Sequence, residues 1–317
     1  MLNKRDSVYI AGHTGLIGSA FVSAFESSGY TNIIMPTHQE LELTNSPAVD
    51  EFFDEQKPDV VILAAGKVGG IQQNVMTPAD FINANLSIQL NVFGAAKRIG
   101  VKRLVMFGSS CMYPRDCLQP MDETLLMTGH PETTSLPYAI SKIAGVQLCH
   151  AYNTQYKNRR FIPVIPASVY GPNDNFDVNT GHVIGSLMSK MHNAKKSGSK
   201  TLKLWGTGTP LREFIHVSDL VNGVLQLLME NDLKIKFPIN IGSGTEYSIA
   251  ELADAVAQAV GYNGEVEWDT SKQDGAPRKF LNSERLRAIG WAPSIDLKTG
   301  LVETYKWFVK YGPGREK

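Results

Sequence analysis

Residues 7–20 read SVYIAGHTGLIGSA, and this stretch decides the fold. A short apolar strand runs into Gly12, Gly15 and Gly18 in the spacing GxxGxxG, and a helix is predicted to begin near Leu16. Glycine allows a close approach to the backbone, and the N–H groups at a helix start attract anions. The segment therefore predicts a strand–turn–helix that binds the pyrophosphate of a dinucleotide, with a plain glycine-rich turn as the alternative.

The same alternation of strand and helix patterns repeats up to about residue 170. Short runs such as NIIMP, VVILAAG and RLVMFGSS alternate with longer amphipathic stretches, and residues 60–64 and 104–107 are apolar on both faces. Such strands are typical of parallel sheets covered by helices on both sides. We therefore predict an α/β fold: a Rossmann doubly wound parallel sheet over residues 1–170, to which later segments return, and a smaller, interleaved C-terminal substrate domain mainly over residues 171–317.

The composition limits the classes of partner. The 317 residues carry 31 Lys plus Arg and 31 Asp plus Glu, so no net field draws the chain to nucleic acid or to an anionic membrane. No apolar run is long enough to cross a bilayer, and the first residues enter a strand pattern rather than an export signal, so we expect a cytoplasmic protein. The three cysteines show no CxxC spacing and predict neither a metal site nor a disulfide framework. A Lys-rich loop at residues 195–203 is expected to be solvated surface.

The end of the second predicted strand bears on the cofactor. A site that prefers NAD usually places an acidic residue there for the ribose 2′-OH, but NIIMPTHQE offers Pro36, Thr37 and His38. This favours NADPH/NADP, with His38 beside the 2′-phosphate. Because no arginine stands at this position, the strength of the preference for NADPH over NADH stays open.

Tyr138 and Lys142 lie in PYAISKIAG with i, i+4 spacing, which puts both side chains on one face of a helix. The pKa of tyrosine lies near 10, and the ammonium of Lys142 is expected to lower it. Lysine can also bind the nicotinamide ribose, while Ser109 or Ser110 at the end of LVMFGSS can bind the substrate oxygen. Together they predict a Ser-Tyr-Lys site for carbonyl reduction, although YxxxK also occurs by chance on exposed helices.

The glycine motif, GSS after a central strand and YxxxK together resemble the extended short-chain dehydrogenase/reductase family. The blocks AAGKVGGI, GSSCMYP and WGTGTPLREFIHVSDL further resemble the GDP-L-fucose synthases of that family, and the resemblance covers nearly the whole chain. It implies NADPH-dependent reduction at C4 of a GDP-linked 4-keto-6-deoxy sugar with epimerisation at C3 and C5. It also implies a homodimer built through paired helices near residues 83–99 and 138–156.

The resemblance assigns roles to individual residues. Cys111 and His182 fill the positions of the acid/base pair for epimerisation, where a ketone at C4 acidifies the hydrogens on C3 and C5. Without the resemblance, the first would read as a small buried hydrophobe and the second as a packing residue. The implied catalytic residues are Ser109, Cys111, Tyr138, Lys142 and His182. The implied cofactor-binding residues are Gly12, Thr14, Gly15, Leu16, Ile17, Gly18, His38, Ser110, Lys142, Pro166, Ser168, Val169 and His182. The implied substrate-binding residues are Lys190, Trp205, Arg212, Asp274 and Lys279, with no metal; His216 and Asp219 are expected to organise a loop and a helix start instead.

Several positions depart from the family pattern. Thr14 and His38 replace basic residues, Ser168 replaces an asparagine, and the loop NFDVNTGHVI differs ahead of His182. Two alternatives therefore stay open. One is a GDP-4-keto-heptose C4 reductase that does not epimerise, and the other is a non-catalytic NADP-binding protein.

Overall fold

The sheet that organises the molecule is built from short strands whose residues are mostly buried. The structure is a computed structural model that describes residues 2–230 and 237–312; the outer ends of both predicted domains, residue 1 and residues 313–317, lie outside the described residues. The strands in chain order are β1 (Val8–Ala11), β2 (Ile33–Ile34), β3 (Val60–Leu63), β4 (Arg103–Phe107), β5 (Phe161–Pro166), β6 (Ser168–Tyr170), β7 (Thr201–Trp205), β8 (Leu211–His216), β9 (Ile239–Ile241), β10 (Glu246–Ser248), β11 (Glu265–Asp269) and β12 (Arg278–Lys279).

Many of the helices begin or end at residues that favour helix boundaries. In chain order they are α1 (Leu16–Ser27), α2 (Ser46–Gln56), α3 (Ile71–Met76), α4 (Pro78–Ile99), α5 (Leu136–Gln155), α6 (Val183–Ser197), α7 (Val217–Met229), α8 (Ile249–Val260), α9 (Glu284–Arg287) and α10 (Leu297–Tyr311), with single 3₁₀ turns at Ser110–Met112, Glu123–Leu125 and Thr133–Ser135. Pro78 opens α4, and Gly100, with a φ of 76°, ends it. Ser248 and Glu251 form a capping box at the start of α8. Local sequence therefore sets these helix boundaries.

Six strands form one parallel sheet in the order β2-β1-β3-β4-β5-β9. Strand β1 pairs with β2 on one side and with β3 on the other. Strands are therefore added on one side of β1 first and on its opposite side afterwards, which makes β1 the reversal point of the strand order. Helix α1 packs against α7, while α4 packs against both α2 and α5. The predicted α/β fold with a doubly wound parallel sheet is confirmed. In such sheets ligands bind beyond the carboxyl ends of the strands, at the reversal point.

The chain leaves this sheet at its carboxyl edge. After β5 only Ala167 intervenes before β6, which pairs with β8 of a second sheet ordered β10-β8-β12. Strands β7 and β11 form a separate parallel pair. A second apolar core, including Phe176, Met188, Val256 and Leu301, lies among α6, α8 and α10. Strand β9 then returns to the large sheet. The second layer is thereby held next to the carboxyl ends of the first.

The Lys-rich stretch is mostly exposed, as expected, but it is not one loop, so that part of the expectation was wrong. Lys195 and Lys196 belong to the last turn of α6, which ends at Gly198 with a φ of 70°, and Lys203 lies in β7. Basic side chains in a last turn interact favourably with the helix dipole. The Nζ of Lys195 donates to the carbonyl of Val260 at 2.7 Å, which ties α6 to the end of α8. These lysines therefore support the fold of the second layer.

Candidate active site

The glycine loop between β1 and α1 is closely packed. Gly12 has a φ of 82°, and a Cβ built there would lie 2.8 Å from the backbone N of Ala65. A Cβ on Gly18 would lie 2.1 Å from the carbonyl oxygen of Gly12. Gly15 precedes α1 without any side-chain cap, and the first turn of α1 holds no acidic residue. The N–H groups of Leu16 and Ile17 therefore start a helix whose end is open to an anion.

We predict that Gly18→Ala damages both stability and cofactor binding. The new methyl group would meet backbone atoms of Gly12 and His13, which cannot move aside cheaply. Overpacking of this kind costs about 1–3 kcal/mol, and displaced N–H groups should weaken NADPH binding by about tenfold, equivalent to about 1.4 kcal/mol. Thermal unfolding and an NADPH fluorescence titration measure the two effects.

Gly15→Ala is the matched control for stability. A Cβ at Gly15 meets the Gly12 oxygen at 3.5 Å, an ordinary contact, and φ is −83° there. Its free energy of unfolding should change by no more than about 0.5 kcal/mol. Equal stability of the parent and Gly18→Ala would show that the loop tolerates the methyl group and would contradict the prediction.

Asn173 is a residue that the sequence interpretation missed. Its Nδ2 donates to the carbonyl of Thr14 at 2.8 Å and so ties the segment after β6 to the glycine loop. Asn173 adopts a φ of 69°, a conformation that asparagine tolerates better than most residues. The dipeptide Asn173-Asp174 after Pro172 signals a turn, but nothing local to it indicates a partner so distant in sequence.

His38 does not point to a defined anion site. Its side chain is 82% exposed, and its Nε2 lies 3.0 Å from the carboxylate of Glu42, four residues along the chain. Thr37 instead pairs with Glu40, whose carboxylate accepts from the Thr37 N–H at 2.7 Å. His38 therefore stays only a predicted contact of the 2′-phosphate.

Tyr138 and Lys142 lie one turn apart near the start of α5, as predicted. The Nζ of Lys142 is 5.8 Å from the centre of the Tyr138 ring, and the edge-to-face partner of that ring is Phe81 at 6.2 Å. A Cβ on Gly66 would lie 3.6 Å from Lys142 Nζ, which places the ammonium beyond the carboxyl end of β3. Tyr138 and Lys142 therefore reach the edge of the sheet where ligands bind.

The expected effect of Lys142 on Tyr138 was wrong. Burial raises the pKa of Tyr138, nearby negative charge on Cys111 raises it further, and only a hydrogen bond with Ser109 opposes them. Burial also lowers the pKa of Lys142 to about 8. Burial of the phenol outweighs the effect of the Lys142 ammonium, and Tyr138 is kept as a neutral phenol that can donate a proton.

Cys111 lies in the 3₁₀ turn that follows β4 and is surrounded by polar groups. The Ser109 hydroxyl accepts a hydrogen bond from the Cys111 N–H at 3.3 Å. The Nζ of Lys279 lies 3.6 Å from Cys111 Sγ. Burial alone would raise the pKa of the thiol, but Lys279, Ser109 and the charge of Arg212 together bring it below its ordinary value. Cys111 is therefore set apart from an inert buried cysteine.

His182 stands directly before α6 on a stiffened loop. Asp177 accepts hydrogen bonds from the N–H groups of Asn179 and Thr180 at 2.9 and 2.7 Å. A Cβ on Gly181 would lie 2.4 Å from the carbonyl oxygen of Asn175. His182 is exposed as a residue, yet desolvation by the surrounding protein lowers the pKa of its imidazole. The imidazole is thus mostly neutral at pH 7.

The predicted substrate residues fall into two connected groups. Arg212 and Lys279 are neighbours in the β8–β12 ladder beside Cys111. Asp274 accepts hydrogen bonds from the Thr207 N–H and hydroxyl at 3.0 and 2.6 Å, close to Trp205, which is 72% exposed. A Cβ on the neighbouring Gly275 would lie 3.1 Å from Arg212, so Arg212 joins the two groups.

The remaining predicted residues are less clearly placed. Lys190 is partly buried in α6, and burial lowers its pKa. Pro166 is buried at the end of β5, Ser110 is buried in the 3₁₀ turn, and Ser168 and Val169 are partly exposed in β6. Their ligand contacts stay predictions.

His216 and Asp219 have the structural roles that the sequence predicted. The Nδ1 of His216 accepts from the Ser218 N–H at 3.4 Å at the start of α7. Asp219 accepts from the N–H groups of Ser294 and Ile295 at 3.0 and 2.9 Å. Within residues 2–230 and 237–312, no group of three or more His, Cys, Asp or Glu is arranged to hold a metal ion, and no helix there is long and apolar enough to span a bilayer.

Comparison with known proteins identifies the family. Residues 8–242 match the model of the NAD dependent epimerase/dehydratase family. The chain is 46% identical to GDP-L-fucose synthase 1 of Arabidopsis thaliana, over 98% of this chain and 95% of that protein. It is 43% identical to GDP-L-fucose synthase of Escherichia coli (strain K12), over 97% and 98%. The structure of MlghC, a GDP-mannoheptose C4 reductase from Campylobacter jejuni with NADP bound, superposes with a TM-score of 0.89 at 35% identity, over 98% of this chain and 100% of that one. The chain therefore belongs to the NAD dependent epimerase/dehydratase family.

Proposed function

We propose that this protein is an enzyme that uses NADPH to reduce C4 of a GDP-linked 4-keto-6-deoxy sugar after epimerising C3 and C5. The observation that carries the proposal is the convergence of Ser109, Cys111 and Tyr138 at the carboxyl edge of the sheet, where a reductive proton donor and an ionisable thiol share one site. The identity to the two GDP-L-fucose synthases over nearly the whole chain supports this substrate class.

The residues present fit a dinucleotide. The backbone at Gly12 and Gly18 packs too closely on neighbouring backbone to admit a Cβ, and α1 begins there with an uncapped turn. The N–H groups of this turn would hold the pyrophosphate, and the Nζ of Lys142 would hydrogen-bond the nicotinamide ribose. When bound, the reduced nicotinamide supplies the hydride for C4. The NADP bound in the relative from C. jejuni supports the choice of cofactor.

In the reduction, the carbonyl oxygen on C4 develops alkoxide character, and Tyr138 would deliver a proton to that oxygen. The Ser109 hydroxyl interacts with Tyr138 and would orient the same oxygen. The ammonium of Lys142, one helical turn away, would stabilise the phenolate that Tyr138 leaves. Above pH 8 that ammonium is progressively lost, since burial lowers the pKa of Lys142 to about 8.

In the epimerisation, Cys111 and His182 would act as base and acid on opposite faces of the sugar ring. Removal of a proton beside the C4 ketone leaves an enolate, and return of a proton to the other face inverts the carbon. The competent pair holds one proton, either as thiolate and imidazolium or as thiol and imidazole. The lowered pKa of Cys111 makes its thiol easier to ionise, and the lowered pKa of His182 makes its imidazolium a stronger proton donor.

The nucleotide would lie between Arg212 and Trp205. The forked guanidinium of Arg212 suits a diphosphate, and the exposed ring of Trp205 offers a face for the base. Asp274 is fixed by Thr207 next to that ring, and Lys190 adds a cation from α6.

The second candidate is a GDP-4-keto-heptose C4 reductase without epimerisation. The similarity to the heptose reductase from C. jejuni favours it. We prefer the 6-deoxy-hexose, because the identity to the GDP-L-fucose synthases is higher and Cys111 lies in a setting that lowers its pKa.

The test is NADPH oxidation with GDP-4-keto-6-deoxy-mannose and with the matching heptose, run in D2O and read by NMR. We expect hexose turnover at least about tenfold faster, since a substrate fitted less well by about 1.4 kcal/mol loses that factor, with deuterium at C3 and C5. Heptose turnover without deuterium would instead establish the second candidate. NADPH binding without turnover of either sugar would leave a non-catalytic protein.

We also propose that the protein is a cytoplasmic homodimer whose chain divides into two domains near residue 170. A homodimer would use the outer faces of α4 and α5, where Leu90 is 57% exposed and Ile140 is 42% exposed. The dinucleotide-binding domain would comprise residues 1–170 with β9, and residues 171–317 would mainly bind the sugar nucleotide. The cysteines are free, as is typical of the reducing cytoplasm, where we place the protein.

A further inference from the structure

Cys111 and Lys279 are 168 residues apart in sequence, yet their side chains are adjacent, with Sγ and Nζ 3.6 Å apart. We propose that Lys279 is a positioning residue that stabilises the thiolate form of Cys111, so that the thiol can ionise and remove a proton from the sugar. The inference deepens the proposed function and rests on it for the role of Cys111. It reassigns Lys279 from binding the substrate to preparing the base.

The register of β12 against β8 creates this contact. Lys279 pairs with Arg212, and Arg278 pairs with Leu211. Because side chains alternate across a strand, Lys279 and Arg278 point to opposite faces. Arg278 forms a two-pronged ion pair with Glu246, at 2.7 and 2.6 Å. Lys279 faces Cys111 together with Arg212.

The charge of Lys279 is not neutralised by a carboxylate among the described residues. Among residues 2–230 and 237–312, Arg278 forms an ion pair with Glu246, whereas Lys279 forms none and instead contacts the thiol of Cys111. An opposite charge at this distance favours the ionised form of a partly desolvated group. The ammonium therefore acts on the sulfur rather than on an acidic neighbour.

Cys117 shows that a buried cysteine near Lys279 does not necessarily have a lowered pKa. Burial raises the pKa of Cys117, and Asp116 raises it further, although Lys279 also lies within electrostatic range. Cys117 lacks both the close ammonium contact and the hydroxyl of Ser109 that Cys111 has. The difference between two cysteines in one neighbourhood thus follows from specific contacts.

The test is the pH dependence of alkylation of Cys111 by iodoacetamide, which needs no sugar. Cys117→Ser serves as the background, and Cys149 is fully buried, so Cys111 reports alone. In this background we expect Lys279→Met to move the inflection up by about one pH unit and to slow alkylation at pH 7 by about tenfold. The inflection moves to higher pH because the loss of a nearby positive charge leaves less thiolate at any given pH.

Two further variants control the result. Lys279→Arg keeps the charge and should restore most of the lost rate. Lys272→Met removes an equal charge near Trp205 and should leave the inflection unchanged. NADPH binding and absorbance of the thiolate at 240 nm verify folding and ionisation in each protein. Equal inflections for Lys279→Met and its parent, or failure of Lys279→Arg to rescue, would overturn the proposal. A shifted inflection in a protein that turns over no GDP-4-keto sugar would uphold the thiolate and reject only the proposed function.

Discussion

Replacing Tyr138 by phenylalanine should reduce kcat for NADPH oxidation by about 10²–10⁴-fold, the usual contribution of a positioned general acid. The Tyr138 hydroxyl forms a hydrogen bond with Ser109, and burial keeps it protonated at neutral pH. The ring itself would stay in place, because its edge-to-face contact with Phe81 does not involve the hydroxyl. Steady-state kinetics with GDP-4-keto-6-deoxy-mannose measures the loss.

The variant should keep two other properties of the parent. NADPH binding should persist, and exchange of deuterium into C3 and C5 should continue, because Cys111 and His182 remain. In the parent, the reduction rate should decline above pH 8, where Lys142 loses its proton. A Tyr138→Phe protein with parental kcat, or one that loses exchange as fully as reduction, would refute the assignment of Tyr138 as the specific proton donor.

The sequence could predict those parts of the site that depend on local spacing. Gly12, Gly15 and Gly18 stand between a strand and a helix, and Tyr138 and Lys142 share a helix face through their i, i+4 spacing. Such patterns follow from the period of the secondary structure itself. The parallel pairing of the strands follows in the same way from the repeated strand–helix alternation.

Contacts between distant segments could not be predicted from local patterns. Lys279 reaches Cys111 only through the pairing of β12 with β8, and Asn173 reaches Thr14 across the two layers. The pKa of Tyr138 was also misjudged, because spacing indicates that a lysine is near but not that the tyrosine itself is buried. Burial depends on all neighbours at once, so the direction of that pKa shift required the fold.

Replacing Cys111 by serine should lower deuterium exchange at the carbon it serves by about 10²–10⁴-fold. A serine hydroxyl is similar in size to the thiol but does not ionise near neutrality. The proton that Cys111 and His182 share in the parent can then no longer move from residue 111 to His182. Exchange is best measured by NMR in D2O with NADP in place of NADPH, so that no reduction follows.

The pH profile separates this loss from structural damage. In the parent, exchange should fall on the acid side, where Cys111 and His182 are both protonated, and on the alkaline side, where both have lost their protons. Because the pKa of the thiol and the pKa of the imidazole are both lowered, the maximum should lie below the midpoint of their ordinary values. The matched variant His182→Asn should also lose exchange while NADPH affinity is kept. Exchange at the parental rate in Cys111→Ser would remove the thiol from the mechanism and would leave His182 to be tested with another partner.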